Sequence, residues 1–105
     1  MKINGIEVDF RISNLKHAGN MEMALKHMKK GEDQIRKLGK DASMSKILAE
    51  TIKMIRDFFV EATGVDVLEG CEDLAEAQRA YYAFLDEVKK QKEVLLNPFS
   101  TSRIE

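Results

Sequence analysis

The sequence predicts a mainly α protein: a bundle of three helices, or four if the first is split, with a short N-terminal β-hairpin or strand. Three observations predict it. Ala, Leu, Lys, Glu and Met dominate residues 20–96, and all five favour helix. The 105 residues include a single proline, six glycines and no tryptophan, which suits long regular elements rather than a loop-rich fold. The apolar residues also change period, from two near the N-terminus to three and four after residue 20. A chain of this length fits one domain, expected at 1–97, with a short flexible tail at 98–105.

The first element is read from "KINGIEVDFRI", residues 2–12. Ile6, Val8, Phe10 and Ile12 alternate with Glu7, Asp9 and Arg11, as a half-buried strand requires. Asn4-Gly5 is a strong tight-turn signal. A lopsided hairpin, or one strand with a short return, fits both. An isolated two-stranded hairpin is marginal, so this one must lean on a helix or pair with another chain.

"NLKHAGN" at 14–20 reads as a turn, broken by Gly19, with Asn20 as a possible N-cap. The first helix then spans about 20–38, with Met21, Leu25, Met28, Ile35 and Leu38 on one face. Gly31 inside it costs ~1 kcal/mol relative to alanine and could kink or split it. Gly39 is a plausible stop. The second helix spans about 43–63, capped by Asp41 or Ser43. Met44, Ile47, Leu48, Thr51, Ile52, Ile55, Phe58, Phe59 and Ala62 give it a wide apolar stripe, the expected centre of the core. Gly64 can close it in a left-handed conformation.

The third helix begins near Asp73, where "DLAE" resembles a capping box. Leu74, Ala77, Tyr81, Phe84, Val88, Gln91 and Leu95 follow as a heptad-type seam interrupted by Gln91. Asn97-Pro98 is expected to end it, leaving "FSTSRIE" loose unless Phe99 docks.

Charge is unevenly placed. The net charge is −1, yet residues 61–87 carry one basic residue, Arg79, against eight acids. Residues 1–42 are net basic, and so are 88–105. Such polarity argues against a nucleic-acid footprint, which wants a clustered basic face without a dominant acidic block. The acids read either as a solvated helix start or as a docking patch for a basic partner. No apolar run approaches the ~20 residues of a membrane helix. Glu7 and Asp9 stand where a signal peptide would be apolar, so a cytoplasmic location is expected.

Catalytic and metal chemistry find little support. His17 and His27 are ten apart and share no ligand motif. Cys71 has no cysteine partner, and Glu72 and Asp73 beside it oppose thiolate formation. Asp66, Glu69, Glu72 and Asp73 surround Gly70, but Val67, Leu68 and Cys71 occupy positions where a calcium loop needs oxygen ligands. "TGVDVLEG" lacks a phosphate-loop pattern. No cofactor, metal or catalytic residue is expected. Met21, Met23, Met28, Met44 and Met54 cannot all share one core direction, so they fill gaps or form an adaptable face. Lys89, Lys90 and Lys92 read as a solvated helix end.

Three segments in order carry a resemblance: "INGIEVDF", then "IRDFFVEATGVDVLEG", then "CEDLAEAQRAYYAFLDEVKKQ". Together they resemble a family of small Gram-positive (Firmicutes) prophage proteins encoded among tail genes, which are similar to tail assembly chaperones. The likeness covers most of residues 2–95, while "NPFSTSRIE" departs from the basic endings of that family. It implies a non-enzymatic, self-associating helical protein of the host cytoplasm. Such a protein would bind the phage tape-measure and tail tube proteins during assembly. Groove contacts would come from the first two helices and selectivity from the acidic block. The candidate partner-binding residues are Met54, Phe58, Phe59, Asp66, Glu69 and Glu72. The alternative is a structural or minor virion protein that oligomerises through the third helix and the N-terminal strand.

Overall fold

The computed structural model describes residues 1–104, with the side chains of 1–39 and 41–97. Strands β1 (Lys2–Ile3) and β2 (Ile6–Glu7) precede helices α1 (Leu15–Leu38), α2 (Met44–Thr63) and α3 (Leu74–Ile104). A 3-10 turn at Gly39–Asp41 joins α1 to α2. The molecule is elongated, 60 × 28 × 22 Å.

The hairpin forms where the turn chemistry places it. Asn4 and Gly5 both have positive φ, 52° and 79°, as a two-residue type I′ turn demands. Ile3 faces Ile6, and Lys2 faces Glu7. The paired part is shorter than the alternation suggests. Beyond it, the Val8 N–H donates to the Met1 carbonyl at 2.8 Å, and the chain then leaves its partner. Val8 and Phe10 are buried and Ile12 is half-buried, so the inward alternation holds there, but Ile6 points out. The hairpin does lean on the helical body: the Asn4 amide donates to the Val67 carbonyl at 3.0 Å.

Helix α1 starts five residues earlier than its apolar pattern implies. Asn14 is the N-cap, and its side-chain oxygen accepts from the N–H groups of Lys16 and His17. Capping outweighs the glycine signal, and Gly19 lies inside the helix. Gly31 neither splits nor ends it. A Cβ at Gly31 would sit 3.1 Å from Met54 Cγ, so the glycine permits close approach of α2. Gly39 closes α1 and Ser43 caps α2, accepting from the Lys46 N–H. Gly31 meets Met54 while His27 meets Glu61, so α1 and α2 run antiparallel.

Gly64 closes α2 at φ 77°, the left-handed stop that its position suggests. The connection to α3 is part of the core: Val67 and Leu68 are fully buried. Helix α3 begins at Leu74, where Asp73 accepts from the Ala75 N–H. It lies against α2 and β1.

The core is an aromatic knot. Phe84 packs edge-on against Phe10, Phe58 and Phe59, with ring centroids 5.1–5.8 Å apart, and Tyr81 meets Phe58 edge-on. Ile3, Val8, Met21, Ala24, Met28, Ile55, Ala62 and Val88 surround it. This centre lies at the C-terminal half of α2. Met44 and Leu48 at its other end are therefore exposed, as is Leu25 on α1, where Ala24 takes the inward place.

Gln91 explains the interruption of the α3 seam. Its Oε1 accepts from the Ile12 N–H at 2.9 Å, and its Nε2 donates to the Phe10 carbonyl at 3.1 Å. One side-chain amide thus supplies the pairing that a neighbouring strand would supply. The helix also continues through Asn97-Pro98 to Ile104, past its expected end. Proline lacks an N–H, so the regular bond to Val94 is forfeited there. Docking of Phe99 concerns a side chain outside those described.

Candidate protein–protein interface

The sequence-predicted residues separate into three environments. Phe58 and Phe59 both face the core, at 2% and 0% exposure. They form the aromatic knot; Phe59 presents no face to a partner, and Phe58 reaches only the base of the groove between α1 and α2. Met54 is half-buried and lines the groove between α1 and α2 beside Gly31. Asp66, Glu69 and Glu72 lie together on the connection before α3.

The α1–α2 groove encloses about 540 Å³. Its walls are mixed: Lys30, Lys46, Glu50, Lys53, Asp57 and Glu61 line it around the apolar Met28, Ile35, Leu38 and Met54. His27 Nδ1 lies 2.7 Å from Glu61 Oε1, so His27 joins the two helices. His17 is elsewhere. It stacks on Phe10, and its Nδ1 accepts from the Arg11 N–H.

The second groove, about 610 Å³, follows the outer face of α2. Positions 45, 48, 49, 52, 56 and 60 recur at helical spacing along its floor. Leu48 and Val60 are 38% and 45% exposed. Asp66, Cys71 and Glu72 form the far wall, so this groove joins an apolar helix face to the acidic connection.

A fixed ion pair holds that wall. Arg56 Nε donates to Asp66 Oδ1 at 3.2 Å, and Nη2 donates to Oδ2 in a two-armed contact. The hydrogen bond from Arg56 holds the Asp66 carboxyl below its ordinary value of 3.8, while partial desolvation opposes it. The same bond raises Arg56. Lys53 is raised by its hydrogen bond to Asp57, one helical turn on. Glu69 and Glu72 remain exposed beside these pairs. The Cys71 thiol donates to the Asp73 carbonyl at 3.3 Å.

Leu48, Val60 and Arg56 are the residues that sequence reasoning missed. Leu48 was counted in one broad core stripe, and Val60 fell outside it. The signal was present in the width of that stripe. The α2 apolar residues form two rows, one through Ile47, Thr51, Ile55 and Phe58, the other through Leu48, Ile52 and Phe59. The rows converge on the core only toward the C-terminal end of α2.

Among the described residues, no group of three or more His, Cys, Asp or Glu side chains could hold a metal ion, and no buried side-chain polar atom lacks a partner. None of their helices is long and apolar enough to cross a membrane. A family model described as "Family of unknown function (DUF6673)" matches residues 4–103. No curated protein and no solved structure matches the chain.

Proposed function

The chain belongs to the family of unknown function DUF6673, and for this member we propose a non-enzymatic role as a tail assembly chaperone-like interaction protein. It acts in the cytoplasm of the phage's host. There it holds a helical segment of the tape-measure protein, a tail tube subunit, or both, during assembly. The observation that supports the reading is the groove on the outer face of α2. An apolar helix face with a fixed acidic wall suits an amphipathic helix with apolar anchors and a basic flank. The acidic wall steers encounter and selects sign, while the apolar floor supplies affinity. The order of motifs along the chain supports the same reading.

Co-expression with a long helical tape-measure protein is the test. A co-purifying complex is expected. Leu48→Asp or Val60→Asp should abolish it while the circular dichroism spectrum stays helical, because both side chains are exposed. Glu72→Lys should slow association and reduce its salt dependence. Absence of binding by wild-type protein at micromolar concentration would sink the proposal.

A second reading, a structural or minor virion protein, draws on a different observation. Helix α3 runs to Ile104, well past Val88, its last buried residue among those described, as an assembly element would. Mass spectrometry of purified particles separates the two, since a chaperone leaves and a structural protein stays.

A further inference from the structure

Two surfaces of this chain are left exposed, and they match one another. One is the outer face of α2, whose row from Ser45 to Val60 runs ~22 Å. The other is the stretch 92–97 of α3. The last buried residue of that helix among those described is Val88, and beyond it Val94 and Leu95 line an open groove with Arg11, Ile12 and Ser13 of the N-terminal segment. From Gln91 the helix continues to Ile104, a further ~20 Å. Residues 92–97 are all exposed, with Val94 at 69% and Leu95 at 44%.

A helical extension of this length is marginal in water by itself, and Pro98 weakens it further. Its charge is basic: Lys89, Lys90 and Lys92 precede Val94 and Leu95, against Glu93 alone between 88 and 97. The α2 groove has the opposite surplus. Lys53 and Arg56 are engaged by Asp57 and Asp66, which leaves Glu72 on its acidic wall, with exposed Glu69 near enough to act on Arg56.

We infer that the distal part of α3 of one copy docks in the outer α2 groove of a second copy, with Val94 and Leu95 on its floor and the lysines toward Glu69 and Glu72. The inference rests on the reading of this groove as an interface. A copy cannot fill its own groove. Leu74 adjoins the groove wall, and α3 is continuous, so Leu95 lies ~31 Å further along its axis. The contact joins two different surfaces, so it is head-to-tail and leaves a free groove and a free helix at the ends of every open assembly. Such contacts build rings or filaments rather than closed two-fold dimers. Helical tape-measure segments would compete for the same groove.

Sedimentation velocity on the full chain, over a micromolar concentration series, tests this. Wild type should form species larger than dimers as concentration rises. Val60→Asp removes the groove and leaves the helix, and Leu95→Asp does the reverse. Each alone should remain monomeric, yet an equimolar mixture should give a dimer and nothing larger. Reversing Lys90 and Lys92 to Glu should weaken association about tenfold or more, and adding Glu69→Lys with Glu72→Lys should restore it. A wild-type chain that stays monomeric, or single variants that fail to pair on mixing, overturns the inference. The functional proposal fails separately. Leu95→Asp should still capture a tape-measure segment, and self-association without any capture refutes the chaperone role alone.

Discussion

Replacing Gln91 by methionine isolates the amide that ties the N-terminal segment to α3. Methionine has similar length and helix propensity, so the change removes the polar contacts and little else. Two hydrogen bonds are lost, the one from the Ile12 N–H at 2.9 Å and the one to the Phe10 carbonyl at 3.1 Å. Each contributes ~0.5–1.5 kcal/mol net. The site is half-buried, so water can reach the freed backbone groups and the larger penalty for sealed polar groups does not apply. The expected loss is about 2 kcal/mol, or roughly 8–16 °C in Tm for a domain of this size. Urea unfolding followed at 222 nm measures it, with an unchanged m-value. Amide exchange localises it: the Ile12 N–H should lose protection while the amides of 77–88 keep theirs. Gln91→Glu adds a directional check. Its carboxylate can still accept from Ile12 but cannot donate to Phe10, so stability should recover as the acid protonates. A Gln91→Met protein within about 0.3 kcal/mol of wild type, with Ile12 still protected, would refute the reasoning.

Phe84→Ala empties the centre of the aromatic knot and should cost about 3–5 kcal/mol, read by denaturant or thermal melting. Gly64→Ala meets no neighbour within 4 Å, yet it must adopt φ 77°, so a loss of about 1 kcal/mol is expected from backbone strain alone. Asp66 governs part of the acid limb of stability. Its folded carboxyl titrates below the ordinary 3.8, so its contribution is complete above that value and disappears as pH falls through the depressed folded value. Asp66→Asn should therefore flatten the acid dependence of unfolding below about pH 4 and leave a smaller stability at neutral pH.

The helical content, the tight turn and the α2 boundaries were legible because each rests on local chemistry. Asn4-Gly5, Ser43 and Gly64 act within a few residues of themselves, and a sequence displays such effects directly. The start of α1 was misplaced because Asn14 and Asn20 offer the same capping chemistry, and local pattern does not choose between them. Gly31 was misread for a different reason: its value lies in what faces it, and Met54 is distant in sequence. Gln91 looked like a flaw in an apolar seam, since its partners are backbone groups of residues 10 and 12. The candidate site divided along the same line. The acidic wall was visible as composition, whereas the burial of both phenylalanines and the exposure of Leu48 and Val60 depend on where the core sits along α2.

The bond between Gln91 and Phe10 spans 81 residues of sequence. A ribosome delivering the chain at ~5–20 residues per second would take roughly 4–16 s to bridge that interval. Helices form in microseconds, so α1 and α2 have time to associate long before Gln91 emerges. Val8 and Phe10, buried in the finished molecule, must wait uncovered through this period. Asp9 and Arg11 alternate with Phe10 along that waiting segment, and charged residues at such positions discourage intermolecular strand pairing. The N-terminus is thus made first and secured last, and the charges between its apolar residues protect the nascent chain as well as solubilise the folded one.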